Sequence, residues 1–247
     1  MLNILLSGAS GRMGREVIAV AQSHDVCVLA GIDVKTDQSC PVPVYPDFDL
    51  CEKGGAKVLL DFTRAENLHN VLAYAVKNKM PLVLAATGYT EKDLQAIRDA
   101  AGVIPIFRSA NMSLGVHVLK LLSRKASELL CGFDIEIVEK HHNQKLDAPS
   151  GTAVMLYDAV KNRGSVPVYG RHDRTARRDE QEIGLLSVRG GTVTGEHEVG
   201  FYGQEETLLL THSAQNRRIF AHGAMRACRF IQDMQPGEYT MDDMIKL

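Results

Sequence analysis

Short apolar runs alternate with segments of helical periodicity over the first hundred residues, and this alternation constrains the fold more than any other feature. The apolar runs are Leu2–Ser7, Val26–Ile32, Val58–Phe62, Leu82–Leu84 and Val103–Phe107. The helical segments are Arg12–Ser23, Ala65–Lys79 and a stretch ending at Ala101 that Thr90 would cap. Strands and helices in alternation form a parallel sheet with crossover helices. We therefore predict an α/β fold.

The pattern changes in the second half of the chain. Ser113–Leu130 has helical spacing, with an apolar face expected at Leu114, Val118, Leu121, Leu122 and Leu129. From Phe133 onward, apolar and polar residues alternate as in half-buried strands. Gly190-Gly191 and Gly203-Gln204 each separate two such runs, which predicts two hairpins. We therefore predict a second α+β domain built on a mixed or antiparallel sheet.

A chain of 247 residues is long enough for two small domains with cores of their own. We place the first domain at residues 1–112 and the second at residues 113–219. The last helix, about Phe220–Asp233, and the tail are expected to return to the first domain, so residues 220–247 complete it.

The charge and cysteine content exclude several classes of protein. The formal net charge is −2, which gives no field that would attract nucleic acid or an anionic membrane. No apolar run approaches the roughly 20 residues that span a bilayer. The start of the chain is read as a strand, without the basic region of a signal peptide. Five widely spaced cysteines favour reduced thiols in the cytoplasm over a disulfide framework or a metal site.

A glycine-rich turn lies between the first strand and the first helix. Its residues are Gly8, Ala9, Ser10, Gly11, Arg12, Met13 and Gly14. Small residues at such a turn let the backbone approach a pyrophosphate, which the N-terminus of the following helix attracts. An ordinary strand–turn–helix connection can also contain three glycines at this spacing. Asp33 ends the second strand, where a carboxylate binds ribose hydroxyls. Together they predict a Rossmann-type domain that binds NADH or NADPH through Gly8–Met13 and Asp33.

The choice between the two cofactors depends on the same residues. Asp33 repels a 2′-phosphate, whereas Arg12 and Lys35 are near enough in sequence to attract one. We predict binding of NADH with NADPH tolerated.

Two further segments are expected at the cofactor, because ligands of open α/β sheets lie beyond the carboxyl ends of the strands. One comprises Ala85, Ala86 and Thr87 after the fourth strand, and the other Ser109, Ala110, Asn111 and Met112 after the fifth. Both are small and polar, as a loop under a nicotinamide ring must be, and both could also be plain connections.

The segment Glu139–Ala153 has the highest density of ionisable and hydrogen-bonding side chains in the chain. His141 and His142 are adjacent, so they cannot both point inward along a regular strand, and we expect them in a loop. Lys145 adds a positive charge, and Pro149–Thr152 leads into a helix from Thr152 to about Asn162. These groups predict an anion site beside a proton donor. A zinc site is disfavoured because it would need a third ligand at a suitable spacing. A nucleophilic role for Ser150 is disfavoured because the sequence around it lacks the nucleophile-elbow pattern.

These residues resemble the 4-hydroxy-tetrahydrodipicolinate reductase family, also called dihydrodipicolinate reductases. The resemblance rests on Gly11–Gly14, on the His-His-x-x-Lys-x-Asp-Ala-Pro-Ser-Gly-Thr-Ala run from His141, and on matches that continue to the end of the chain. They include Ile183-Gly184, Arg189–Gly191, Gly195–His197 and Phe220–Ala224. Where the family often has Gly-Thr-Thr-Gly, this chain has Ala85-Ala86-Thr87-Gly88 and so lacks a hydroxyl at Ala86.

The resemblance implies hydride transfer from NADH or NADPH to a small cyclic imine dicarboxylate, with loss of water, in lysine and diaminopimelate biosynthesis. It implies that His141 and Lys145 are proton donors and that His142 contacts the substrate. Gly151 and Thr152 would hold a substrate carboxylate. It also implies a homotetramer formed through the sheet of the second domain, with neither nucleic acid nor a membrane as partner.

Two other classes of protein fit parts of the pattern. A dehydrogenase that acts on an amino acid through an imine would need no dicarboxylate site. A regulator that senses NAD(H) would more commonly carry a DNA-binding helix pair and a basic face, neither of which is visible in the sequence.

Overall fold

The computed structural model describes residues 1–36, 39–172 and 175–245, which divide into two compact units. The first unit combines Met1–Leu114 with the segment from Arg217 onward, and the second is Gly115–Asn216. The strands are β1 Leu2–Ser7, β2 Val26–Ile32, β3 Val44–Tyr45, β4 Val58–Asp61, β5 Leu82–Leu84, β6 Pro105–Arg108, β7 Asp134–His141, β8 Val166–Val168, β9 Glu182–Arg189, β10 Glu196–Tyr202, β11 Thr207–Ser213 and β12 Gly237–Tyr239. The α-helices are α1 Arg12–Ala21, α2 Leu68–Lys77, α3 Glu91–Ala101, α4 Leu114–Leu129, α5 Gly151–Val160, α6 Arg218–Ile231 and α7 Met241–Met244.

The first unit is built on a parallel sheet in the order β12-β6-β5-β4-β1-β2-β3. The chain runs from β1 outward to β3 and then crosses to β4 on the other side of β1, as in a Rossmann-type fold. Apolar residues of the strands are buried on both faces. Leu6 packs in a core with α1 and α6, and Leu5 in a second core with α2 and α3. The predicted α/β class and parallel sheet are confirmed.

The edges of this sheet differ from the prediction. The edge strands β3 and β12 are only two and three residues long, which is too short for a periodic pattern to predict them. The strand predicted from Val103 begins at Pro105 instead, and Val103 is exposed. The helix predicted from Ala65 opens with a 3₁₀ turn over Ala65–Asn67.

The second unit has a mixed sheet in the order β11-β10-β7-β9-β8. β7 pairs parallel with β9 and antiparallel with β10, so β9 and β10 lie on opposite sides of it. The hairpin predicted at Gly190-Gly191 is therefore wrong. These glycines instead bond to the end of β7, where Gly190 N donates to the carbonyl of His141 at 2.9 Å. The hairpin between β10 and β11 at Gly203 is confirmed.

Helices α4 and α5 cover one face of the second sheet. Leu119 and Leu156 pack there against Ile137 and Phe201. The apolar face predicted for α4 is partly wrong, because Leu122 and Leu129 are 43% and 69% exposed. The buried positions of α4 include Val116, Leu119 and Ser123, which share a different side of the helix.

The charged segment 171–180 is tied to the second sheet by Arg171 and Arg178. Arg171 donates to both carboxylate oxygens of Glu136 at 2.6 and 2.9 Å, and Arg178 donates to Asp134 at 2.6 Å. These half-buried ion pairs hold Arg171 and Arg178 against the sheet, and Asp173 and Arg174 lie outside the described residues. Across residues 1–36, 39–172 and 175–245, no helix combines the length and the apolarity needed to cross a bilayer.

Candidate active site

The glycine-rich turn connects β1 to α1 with little space for side chains. Gly8 has a φ of +87°, a conformation that favours glycine. A Cβ at Gly14 would lie 2.3 Å from the carbonyl oxygen of Gly8, so the helix can start this close to the turn only with glycine there. Gly11 is the N-cap of α1 and, among the described residues, no side chain caps the helix at this position. The N-terminus of α1 therefore presents backbone N–H groups.

Asp33 lies directly beside this turn. Its two carboxylate oxygens accept hydrogen bonds from Ser10 N and Lys35 N, each at 3.0 Å. The Ser10 hydroxyl donates to the carbonyl of Lys35 at 2.6 Å. The structure thus brings together the turn and the acidic residue that the sequence placed in one site.

A groove of about 1150 Å³ opens along the carboxyl edge of this sheet. It is lined by Ser7 and Asp33, by residues 46–54 after β3, and by residues from Thr63 to Asn78 around α2. Thr63 is a lining residue that the sequence reasoning missed. Its methyl group would lie 3.3 Å from a Cβ at Gly8, and its hydroxyl donates to the buried carboxylate of Asp61 at 2.7 Å.

The two other segments predicted at the cofactor lie at the ends of neighbouring strands. Ala85 N donates to the carbonyl of Asp61 at 3.0 Å, and Ser109 N donates to that of Leu84 at 3.2 Å. Residues 85–87 and 109–112 therefore follow β5 and β6 at the same edge of the sheet as the turn, although they do not line the groove itself. A Cβ at Gly223 would lie 1.6 Å from the carbonyl oxygen of Met112, so α6 packs closely against the second segment.

In the second unit, His141 is the last residue of β7 and is 9% exposed. The expectation that both histidines lie in a loop is therefore wrong for His141. The pleat of β7 places His141 on the same side as Glu139, and only His142 extends into the following loop. The Nδ1 atom of His141 contacts a carboxylate oxygen of Glu139. A Cβ at Gly195 would lie 3.1 Å from the Nε2 atom of His141.

Glu139 is almost fully buried, at 1% exposure, and carries an ion pair. Arg189 donates to its two carboxylate oxygens at 2.7 and 2.9 Å, and Ser150 N donates at 3.2 Å. Burial alone would raise the pKa of Glu139, but hydrogen bonds from Arg189, Ser187 and His141 outweigh burial and hold the pKa at about 2. The group next to His141 is therefore a carboxylate at neutral pH.

The environment of His141 includes a second buried histidine. The rings of His141 and His197 meet edge to face, with centroids 5.1 Å apart, and Nε2 of His197 lies 3.2 Å from the Ser150 hydroxyl. Burial, followed by the repulsion of His141, lowers the pKa of His197 to about 4. Burial also lowers the pKa of His141, Glu139 opposes this shift, and Lys145 and Arg189 add to it.

The remaining predicted site residues lie in the loop after β7 and at the start of α5. Lys145 Nζ pairs with the carboxylate of Asp147 at 2.8 and 2.9 Å, and Lys145 N donates to the carbonyl of His142 at 3.2 Å. Gly151 is the exposed first residue of α5, and the half-buried Thr152 follows it. Ser150 caps this helix by accepting from Ala153 N at 3.2 Å.

Comparison with known proteins identifies the family. The family model described as dihydrodipicolinate reductase, N-terminus, matches residues 2–112, and the model for the C-terminus matches residues 115–245. A 4-hydroxy-tetrahydrodipicolinate reductase of Caldanaerobacter subterraneus subsp. tengcongensis is 45% identical over 250 residues, which cover 100% of this chain and 99% of the relative. One from Staphylococcus epidermidis is 41% identical and covers 98% and 100%.

The chain belongs to the dihydrodipicolinate reductase family. It is therefore an NAD(P)H-dependent oxidoreductase, and the family expected from the motif residues is confirmed.

Solved structures agree with this family on the fold. The dipicolinate-bound dihydrodipicolinate reductase from Paenisporosarcina sp. TG-14 is similar with a TM-score of 0.84 at 22% identity, covering 99% of this chain and 100% of that one. A DAP dehydrogenase of C. glutamicum is similar with a TM-score of 0.57 at 12% identity, covering 97% and 92%. At these identities the likeness shows the fold alone.

Within the family segments, the structure adds residues that the sequence did not assign to the site. Glu139, Arg189 and His197 surround His141, and Ser150 joins two of them. The spacing of two residues in β7 could have indicated Glu139. Arg189 and His197 reach the same place only through the pairing of β7 with β9 and β10.

Proposed function

We propose that this chain reduces 4-hydroxy-tetrahydrodipicolinate to tetrahydrodipicolinate with NADH or NADPH, in the biosynthesis of lysine and diaminopimelate. The observation that carries the proposal is the match over the full chain to relatives of that name, one of which is 45% identical. A small dicarboxylate as substrate is further supported by the dipicolinate bound to the reductase from Paenisporosarcina sp. TG-14.

The first unit fits the dinucleotide. Because Gly14 has no Cβ, the turn has room for its backbone to lie close to the helix. The backbone of Gly8–Met13 can therefore approach a pyrophosphate at the N-terminus of α1. Asp33 is positioned by two backbone N–H groups to receive ribose hydroxyls. We assign Ala85, Ala86, Thr87 and Ser109, Ala110, Asn111, Met112 to the same site because their strands end at the same edge. Bound NADH or NADPH would supply the hydride.

The second unit supplies the proton and the anion site. Loss of the 4-hydroxyl group as water gives a conjugated imine. Addition of hydride to this imine leaves an electron-rich enamine that must take up a proton, so an acid with a pKa near neutrality is required. We assign this role to His141, whose Nε2 is the ring nitrogen not held by Glu139. Lys145 is the second proton donor, and His142, Gly151 and Thr152 contact the substrate carboxylates. The ammonium of Lys145 and the N-terminus of α5 suit an anion.

The assay is the oxidation of NADH, followed by its absorbance, with freshly formed product of the upstream synthase. We expect turnover with this substrate and none with simple amino-acid imines. Turnover of an amino-acid imine instead would favour the alternative dehydrogenase. Binding of NADH with no turnover of any imine would favour a nucleotide sensor.

We propose that NADH is preferred and NADPH is tolerated. The carboxylate of Asp33 repels a 2′-phosphate. The groove lining also favours NADH, since its acidic residues outnumber its basic ones: Asp33, Asp47, Asp49, Glu52 and Glu66 against Lys53, Arg64 and Lys77. The dissociation constants of the two cofactors test the preference, and much tighter binding of NADPH would reverse it.

We further propose a homotetramer formed through the face of the second sheet that α4 and α5 leave open. By register, Val188, Tyr202 and Leu209 lie on this face, and their exposed fractions are 48%, 39% and 50%. Light scattering after size exclusion measures the assembly, and a monomer would contradict this assignment. A cytoplasmic location stays a prediction.

A further inference from the structure

The buried carboxylate behind His141 has no role in the proposed chemistry so far. Glu139 lies two residues before His141 on β7, on the face of the sheet that α4 and α5 cover, and it is 1% exposed. Burying a charge is costly unless it is paired, so its presence at this position requires a reason. The main chain does not impose a glutamate there, because neighbouring inward positions of β7 such as Ile137 carry apolar side chains.

We infer that Glu139 is a positioning residue for His141, held in place by Arg189. This inference rests on the proposed function of His141 as the proton donor. Glu139 contacts the Nδ1 atom of His141, so it fixes the ring with Nδ1–H toward the carboxylate and leaves Nε2 as the nitrogen that exchanges protons. A carboxylate in this position also stabilises the imidazolium that donates the proton.

Arg189 keeps the carboxylate ready for this role. It is the partner of His141 in the register between β7 and β9, and its guanidinium donates to both oxygens of Glu139 at 2.7 and 2.9 Å. The same guanidinium donates to the carbonyl of Asp147 at 2.6 Å, which ties the loop carrying Lys145 to the strand. Paired with Arg189 in this way, Glu139 is ionised at neutral pH and is a poor acceptor for the proton of His141.

Several other charged or titratable groups face His141 from the elements around it. Arg189 lies on β9, His197 on β10, and Lys145, which is paired with Asp147, in the loop after β7. Arg189 and Lys145 lower the pKa of His141, as burial does, and Glu139 is the group that raises it. Removing the negative charge of Glu139 should therefore move the pKa of His141 further down.

The test is the Glu139→Gln variant, which keeps the shape of the side chain and removes its charge. We expect kcat to fall at least tenfold, bounded by the roughly 100- to 10,000-fold that a general acid contributes. We also expect the decline of kcat at high pH to begin at lower pH, since less imidazolium is present. Glu128→Gln is the matched control, because Glu128 forms an exposed ion pair with Lys125 in the same unit. This control should leave both kcat and the pH profile unchanged.

A double-variant cycle separates positioning from a structural role. If Glu139 acts through His141, Glu139→Gln should cause no further loss of kcat in a His141→Ala background. A full additional loss in that background would overturn the inference. Should Glu139→Gln fail to fold because Arg189 is left unpaired, Glu139→Gln combined with Arg189→Met removes both charges and takes its place in the cycle.

A spectroscopic measurement on the unmodified protein needs no turnover. The ¹⁵N shifts of the His141 ring should show the proton of the neutral form on Nδ1. A proton on Nε2 in the neutral form would overturn the inference even if the proposed reaction is confirmed. If instead the tautomer is as expected and no imine is reduced, the proposed function fails while the positioning geometry stands.

Discussion

The ion pair between Arg189 and Glu139 should make a large contribution to stability as well as to chemistry. The perturbation is Arg189→Met, which keeps much of the length of the side chain and removes its charge. In the folded chain the pKa of Glu139 is about 2, against an ordinary value of 4.5. At 1.36 kcal/mol per pH unit, this shift corresponds to about 3 kcal/mol of stabilisation of the carboxylate at neutral pH. Losing one partner of a buried pair typically costs a similar amount, about 3 to 5 kcal/mol.

The effect should depend on pH with a definite sign. Because the folded pKa of Glu139 lies below its unfolded value, the carboxylate stabilises the native state above about pH 4.5 and loses this contribution as the pH falls toward 2. In Arg189→Met the buried carboxyl can take up a proton at higher pH. The difference in free energy of unfolding between variant and parent should therefore be about 3 kcal/mol near pH 7 and shrink as the pH falls from about 4.5 toward 2.

Urea unfolding followed by circular dichroism at several pH values measures this difference. Lys125→Met is the control, because its ion pair with Glu128 is exposed and should contribute no more than about 0.5 kcal/mol. A loss below about 1 kcal/mol for Arg189→Met, or a loss of the same size at every pH, would contradict a stabilising role for this ion pair.

Three further substitutions test the two halves of the proposed site. His141→Ala should lower turnover by roughly 100- to 10,000-fold and leave the dissociation constant of NADH unchanged, as steady-state kinetics and calorimetry would show; an unchanged rate would remove His141 from the mechanism. Asp33→Ala should weaken NADH more than NADPH, and equal losses in the two titrations would indicate misfolding instead. Gly14→Ala would place a methyl group 2.3 Å from the carbonyl oxygen of Gly8, so the turn must open. We expect weaker NADH binding and a lower melting temperature, and normal values of both would show that the turn tolerates a side chain.

The dinucleotide half of the site could be predicted because its signals are local. Gly8 to Gly14 form one turn, and Asp33 ends the next strand of a parallel pair, so sequence order alone brings them together. The groove lining around Thr63 was missed because a Thr after a strand has no distinctive spacing.

The half of the site in the second unit could not be predicted as fully, because it depends on strand pairing, which turn residues do not specify. Gly190-Gly191 has the residues of a hairpin turn. However, β9 and β10 pair with opposite edges of β7 instead of with each other. The same pairing brings Arg189 to Glu139 from 50 positions away. His141 and Lys145 were found from the cluster of ionisable residues in one segment, and the family resemblance implied their roles, whereas their surroundings needed the register of the sheet.

The first unit takes its sheet and its covering helices from both ends of the chain. Ala224 and Cys228 of α6 are fully buried in the same core as Leu6 of β1, and β12 extends the sheet at β6. During synthesis on the ribosome, the nascent N-terminal segment must therefore wait for the whole second unit to be translated before its own core can close. Until then, the apolar faces of β4, β5 and β6 that α6 covers are open to chaperones and to aggregation.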